Sequence, residues 1–189
     1  MRALKLKHWI LIGWIVLSVA AVSALLVVRP KSYVFDGPSM EPTFAQGETV
    51  TVRKHRYGIF GPPDVKVGDV VVLTNPVDDI EIIKRVIAVG GDEVEVAEGV
   101  LRVNGEALRT EDVECPGEGV DVCWRESRNG ATWIAGQASD YRELRVGPIA
   151  VPEGHVYVLG DHRDRSNDSR NPMIGPVPTE HVLALVPSL

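Results

Sequence analysis

The sequence predicts a mainly β protein: an antiparallel β-sheet domain with a β-rich insert, preceded by one N-terminal transmembrane helix. Three observations lead there. Trp9 to Val28 are 20 consecutive residues without a charge, and at 1.5 Å per residue such a helix is about as long as a bilayer's hydrocarbon core is thick. The rest of the chain breaks into short β-type runs separated by Gly, Pro, Asn and Asp, with no sustained amphipathic helix pattern. Asn104-Gly105, between Leu101-Arg102-Val103 and Glu106-Ala107-Leu108, has the form of a two-residue hairpin turn.

Residues 1–8 carry Arg2, Lys5 and Lys7, and Arg29 and Lys31 follow the apolar run. The basic flank leans towards a cytoplasmic N-terminus, a transmembrane anchor at 9–28 and an extracytoplasmic domain over 32–189. Val22-Ser23-Ala24 looks loosely like a leader cleavage site, but the run continues through Leu25–Val28, longer than a leader's apolar region, so an uncleaved anchor is expected. Five of the 20 basic side chains precede Asp36, the first acidic residue, which leaves 15 basic against 26 acidic side chains, or −11, for the rest. So acidic a body, with no basic stripe, argues against nucleic acid as a partner.

Strands are expected at Val50–Arg53, Asp69–Thr74, Asp79–Val89, Glu93–Ala97, Val100–Val103, Ala131–Ala135 and His155–Leu159, with a surface loop at Gly61-Pro62-Pro63-Asp64. From about residue 97 to 146 the apolar runs shorten and glycines and acids multiply, which marks a variable β insert. Its cysteines, Cys115 and Cys123, lie eight apart around Pro116, Gly117 and Gly119. With no C-x-x-C, a zinc site is not expected, and in an oxidising compartment the pair forms a disulfide. The five histidines are scattered and the glycines form neither a P-loop nor a dinucleotide fingerprint, so no metal and no cofactor are expected.

Three places could carry chemistry. Ser39 lies in Asp36-Gly37-Pro38-Ser39-Met40-Glu41-Pro42-Thr43, where the prolines restrict the backbone and would hold a nucleophile in place. On Asp79–Val89, alternation puts Ile80, Ile82, Lys84, Val86 and Ala88 on one face, with Lys84 the only polar side chain among them. Burial there would lower its pKa and make it a base, whereas a lysine reaching out to water would not be one. Gly160 to Arg170 follow an apolar strand with alternating charges and two serines; the pattern fits a solvated loop, or a set of groups that orients a buried amine.

Gly37-Pro38-Ser39-Met40-Glu41-Pro42-Thr43, Ile83-Lys84-Arg85-Val86-Ile87-Ala88-Val89-Gly90-Gly91-Asp92 and Gly160-Asp161-His162-Arg163-Asp164-Arg165-Ser166-Asn167-Asp168-Ser169-Arg170, in this order, resemble the boxes of bacterial type I signal peptidases. Gly68-Asp69-Val70-Val71-Val72 resembles a fourth. The resemblance implies a mainly β serine endopeptidase that removes signal peptides from exported preproteins after a small-x-small motif. Ser39 would be nucleophile and Lys84 general base, with Ser166 orienting the lysine. Asp168 and Arg170 match an ion pair, Asp161 a characteristic acid, and Gly37 and Met40 the oxyanion and substrate positions. Preprotein signal peptides and the lipid bilayer would be its partners, with a translocation channel nearby.

Two departures stand out: Gly37 occupies a position where some relatives place a hydroxyl, and His162 one where the family commonly has Asn. The apolar neighbours Tyr33, Phe35 and Met40 are expected to be exposed and to touch lipid or peptide. Three other readings stay open here: a Ser–His peptidase using His155 or His162, a Ser/Lys peptidase devoted to one maturation substrate, and a catalytically silent membrane-tethered β module.

Overall fold

The computed structural model describes residues 8–19, 30–53, 64–97, 100–116, 119–139 and 145–187. The expected anchor at 9–28 lies partly outside these residues, as do most of the N-terminal segment 1–8 and the loop positions 61–63. Residues 8–19 are helical, with every side chain exposed. Among the described residues no helix is long and apolar enough to cross a membrane.

The described chain folds into β1 (Pro30–Val34), β2 (Thr49–Arg53), β3 (Val70–Thr74), β4 (Glu81–Val89), β5 (Glu93–Ala97), β6 (Val100–Val103), β7 (Glu106–Ala107), β8 (Arg109–Val113), β9 (Val122–Arg128), β10 (Ala131–Gln137), β11 (Val146–Ala150), β12 (His155–Leu159), β13 (Val177–Pro178) and β14 (Val182–Val186). These strands form four sheets, ordered β1-β2, β10-β9-β8, β11-β5-β6-β7 and β13-β12-β4-β3-β14. Every strand pairing in them is antiparallel.

Two hairpins use the same dipeptide. Asn104 and Gly105 both take positive φ, at 53° and 79°, and Asn129 and Gly130 do so at 51° and 81°. Two successive left-handed residues give the turn whose twist matches its flanking strands, and Asn and Gly are the residues that adopt it most readily.

Strand β4 is the centre of the largest sheet, with β3 on one side and β12 on the other, and residues 83–88 are all buried. Arg85 pairs with Leu159 and Val86 with Val158, but Ala88 pairs with Tyr157, so Ile87 is an extra residue opposite β12. This bulge corrects the simple alternation. Val86 packs with Val71, Leu73 and Val158, whereas Ala88 joins Ile87, Tyr157 and Leu159 in another cluster. Ile80 precedes the strand and is exposed. Ile82, Lys84 and Val86 keep the expected common face.

The three-stranded sheet is not a separate body, because Trp133 on β10 packs into the same core as Ile87 and Leu159 from the central sheet and Val94, Leu101 and Val103 from the four-stranded one. Cys115 and Cys123 are bonded, with Cα atoms 5.2 Å apart. A Cβ on Gly136 of β10 would collide with Val120 and come within 3.0 Å of the Val122 carbonyl and 3.1 Å of Cys123 Sγ, so a residue without a side chain lets the disulfide-tied segment lie on β10. The double variant Cys115→Ser/Cys123→Ser is expected to unfold with about 2–3 kcal/mol less stability, the loop-closure value for a separation of eight residues. A lower unfolding free energy extrapolated from urea titration, with midpoint and slope both fitted, would show it.

Candidate active site

Ser39 sits in a 3₁₀ turn, Pro38–Met40, entered from an extended Gly37 and closed by the Glu41 amide donating to the Pro38 carbonyl at 3.0 Å. Proline suits the first position of such a turn because its φ is preset and its missing N–H would have had no partner there. The turn is held down by its neighbour. Met40 is fully buried against Tyr33, Phe35, Phe44 and Val72, and the rings of Phe35 and Phe44 stack with centroids 4.6 Å apart. Tyr33, Phe35 and Met40 are therefore core residues, which corrects the expectation that they are exposed. Three large apolar side chains beside one turn bury more surface in a shared cluster than they could spread over the protein's exterior.

Lys84 faces Ser39 from the middle of the central sheet. Its side chain is buried, and its Nζ lies 3.0 Å from Ser39 Oγ and 2.9 Å from the Ile83 carbonyl oxygen. Burial pushes the amine down to about 8; the charges of Asp168 and Asp161 work against that shift and the charge of Arg170 adds to it.

The segment after β12 closes the site from the other side. Asp168 is buried and accepts two hydrogen bonds from Arg170, Nε to Oδ1 and Nη2 to Oδ2, both at 2.9 Å, and one from the Gly160 amide at 3.0 Å. Burial works to raise the pKa of this carboxyl. The bonds and charge of Arg170, the Gly160 amide and the nearby Ser166 hydroxyl outweigh it and hold the group below the usual carboxylate range. Ser166 Oγ is buried beside Asp168, whose charged form it favours, and among the described residues it is in no hydrogen bond of normal geometry with Lys84. Gly160 explains why the loop lies so close. A Cβ there would run into the Ser39 carbonyl oxygen and into Ser166 Cβ and Oγ.

Asp161, fully buried, forms a two-point pair with Arg85, from Nε at 2.8 Å and Nη2 at 2.7 Å. Thr43 Oγ1 donates to the same carboxylate at 2.5 Å, and Arg85 Nη1 donates to the Gly68 carbonyl at 2.7 Å. The pair thus ties the Ser39 segment, β4 and the segment after β12 together. His162 contributes its backbone: its amide donates to the Ser39 carbonyl at 3.2 Å. The ring is engaged away from Ser39, with Nε2 donating to the Gly119 carbonyl at 3.1 Å and Nδ1 2.8 Å from Asp164.

Alongside Ser39 and Lys84 runs a groove of about 240 Å³, lined by residues 34–37 on one wall and 80–84 on the other. Val34 and Ile80 stand exposed at its rim. A larger hollow of about 400 Å³ lies beside Arg85 and Trp133, but neither Ser39 nor Lys84 lines it. Among the described residues no group of three or more His, Cys, Asp or Glu side chains is placed to hold a metal ion.

The structure gathers Ser39, Lys84, Asp161, Asp168, Arg170 and Ser166 into one region, and adds Arg85, Thr43 and Gly160, which sequence reasoning left out. Arg85 had a readable signal, since it interrupts the apolar residues of the opposite β4 face as Lys84 interrupts its own. Gly160 had none, because close approach of distant backbone cannot be read along one strand of sequence.

Ser39 and Lys84 thus set a hydroxyl within hydrogen-bond distance of a buried amine. Residues 6–188 match the family model for signal peptidase, peptidase S26. The chain is 31% identical over 165 residues to a signal peptidase I of Bacillus licheniformis, covering 85% of this chain and 78% of that protein. It is 32% identical to the signal peptidase I S of Bacillus subtilis, over 85% and 79%. With the signal peptidase I of Pseudomonas aeruginosa it shares 36% identity, over 82% of this chain and 59% of that one. A crystal structure of a signal peptidase I from Enterococcus faecalis V583 aligns over 67% of this chain and all of that one, at 23% identity and a TM-score of 0.42. The chain belongs to the signal peptidase family, peptidase S26, and is a serine endopeptidase.

Substituting Gly160→Ala is expected to lower kcat at least 100-fold while the far-UV circular dichroism stays unchanged, because the new methyl displaces Ser39 and Ser166 rather than a strand.

Proposed function

We propose that this chain is a membrane-anchored enzyme that removes N-terminal signal peptides from exported preproteins, cleaving after a small-x-small motif with Ser39 as nucleophile and Lys84 as general base. The observation that carries the reading is the buried Lys84 amine 3.0 Å from Ser39 Oγ.

Neutral Lys84 donates one N–H to the Ile83 carbonyl, which leaves its lone pair free to take the Ser39 proton as Oγ bonds to the scissile carbonyl carbon. The ammonium then protonates the departing amine as the C–N bond breaks, leaving an acyl-enzyme. A water attacks the ester, gives a proton to Lys84, and Oγ leaves with that proton as serine is restored. The oxyanion rests on the Ser39 amide, with no side-chain donor from Gly37.

The Ser–His alternative is less well supported. The ring of His162 is engaged elsewhere, and His155 Nδ1 lies against the Glu153 carbonyl. The uncharged run at 9–28, the exposed apolar side chains of helix 8–19 and the start of β1 at Pro30 support a bilayer anchor with the groove near the membrane. The small residues sought in the substrate suit a groove of about 240 Å³, and a site beside the translocation channel would meet the peptide as it emerges.

Ser39→Ala and Lys84→Ala are expected to abolish cleavage of a preprotein bearing an Ala-x-Ala site. With a base near 8, the wild-type kcat/KM should rise about tenfold from pH 7 to pH 9, following the neutral amine. Arg170→Gln removes a charge that lowers the Lys84 pKa and leaves Asp168 uncompensated, so its midpoint should move to higher pH. A wild-type midpoint near 6.5 would instead point to an imidazole base.

Gly37 has an ordinary extended backbone, and a Cβ built there meets nothing within 4 Å. Gly37→Ser should therefore add an oxyanion donor without strain and raise kcat several-fold, with Gly37→Ala unchanged as the control.

A further inference from the structure

Resting on this catalytic reading, we infer that Glu126 is a positioning residue through which the β9–β10 hairpin sets the geometry of Ser39 and its surroundings. Trp124 and Glu126 are two apart on β9 and so share a face, and Trp133 is directly opposite Glu126 on β10. Glu126 lies in that otherwise aromatic patch with only 1% of its side chain exposed. Its Oε1 accepts the Trp124 indole N–H at 2.9 Å, and its Oε2 accepts the Trp133 indole N–H at 2.8 Å and Arg163 Nη2 at 2.5 Å.

Buried ion pairs often stabilise a fold no more than well-packed apolar residues of similar volume, and this one is connected to groups whose placement matters to the site. Arg163 is fixed to the hairpin by its backbone as well, its amide donating to the Gly136 carbonyl at 2.8 Å. From there it reaches the site in two directions. Its Nε donates to the Gly160 carbonyl at 3.2 Å, and Gly160 is the residue pressed against the Ser39 carbonyl and Ser166. Its own carbonyl accepts Arg170 Nη2 at 2.6 Å, and Arg170 is the partner of Asp168 beside Lys84. A hairpin that supplies no group to the groove thus bears on both the nucleophile's backbone and the charges around the base.

The test compares full-length wild type, Ser39→Ala, Glu126→Gln, Arg163→Gln and the Glu126→Gln/Arg163→Gln double variant on one preprotein, with folding followed by near-UV circular dichroism. Glu126→Gln is expected to lower kcat tenfold or more with KM within twofold, and the double variant to be no worse than the poorer single one. A merely structural pair would lower thermal stability and leave kcat per folded molecule intact. If Glu126→Gln does not fold, Trp124→Phe, which removes one donor and keeps a ring, should still lower kcat at unchanged KM. Folded Glu126→Gln, or in its absence Trp124→Phe, with wild-type kcat overturns the inference. Activity surviving in Ser39→Ala overturns the catalytic reading instead.

Discussion

The exclusion of water from one amine governs this structure. At its ordinary value of 10.5 a lysine is less than about one-thousandth neutral at pH 7, whereas at about 8 it is roughly one-tenth neutral, a gain of more than a hundredfold in available base. A central strand alone would not achieve this, because a lysine stem is long enough to carry its charge out to solvent. The amine is largely shielded from water because two other segments close over it: the Ser39 turn, pinned by Met40, and the segment after β12, which Gly160 lets come close. The proposed nucleophile is thus also part of the cover that lowers the pKa of its proposed base.

Charge placement follows from the same constraint. Asp161 and Asp168 both favour the protonated amine, and either one alone would undo part of what burial achieves. Each is locked to its own arginine, Asp161 to Arg85 and Asp168 to Arg170, by two hydrogen bonds in a fixed plane. Pairing weakens the pull of the carboxylates on Lys84 while keeping them as acceptors for backbone and hydroxyl donors. Losing one partner from such a buried pair typically costs about 3–5 kcal/mol, so these acids also brace the segments that carry the site.

What could be read beforehand divides by the range of the interaction. Strands β5, β6 and β12, and the turn at Asn104-Gly105, depend on local alternation and turn chemistry, and they were legible. The related turn at Asn129-Gly130 carries the same dipeptide, but the polar residues of β9 before it hide the alternation that would mark a hairpin. Strand β14 reads Val-Leu-Ala-Leu-Val, an apolar run without the alternation that marks a half-buried strand. Ser39 and Lys84 were legible as separate oddities, a constrained serine and a lone polar residue on an apolar face. Their bond across 45 residues could be expected only from the family resemblance. Arg85 shows locally as a charge among apolar residues, but its partner does not, and the contacts of Gly160 and Glu126 lie between distant segments, which no local pattern encodes. Met40 departs from expectation for a related reason: its place in sequence beside a candidate nucleophile suggests a contact residue, yet its side chain points into the core that holds the turn.

One side of the amine's enclosure remains open, along the groove between residues 34–37 and 80–84. Its rim exposes Val34 and Ile80, apolar side chains that the fold itself does not cover. In the proposed reading an extended peptide lying there completes the wall. It buries those side chains and removes the last water from the neighbourhood of Ser39 and Lys84, so that apolar contact made by the substrate also favours the neutral base. Binding and activation are then coupled through solvent exclusion. That coupling requires a rigid groove, because a wall that yielded would let water back in, and the two arginine–carboxylate pairs and the buried Met40 supply the rigidity.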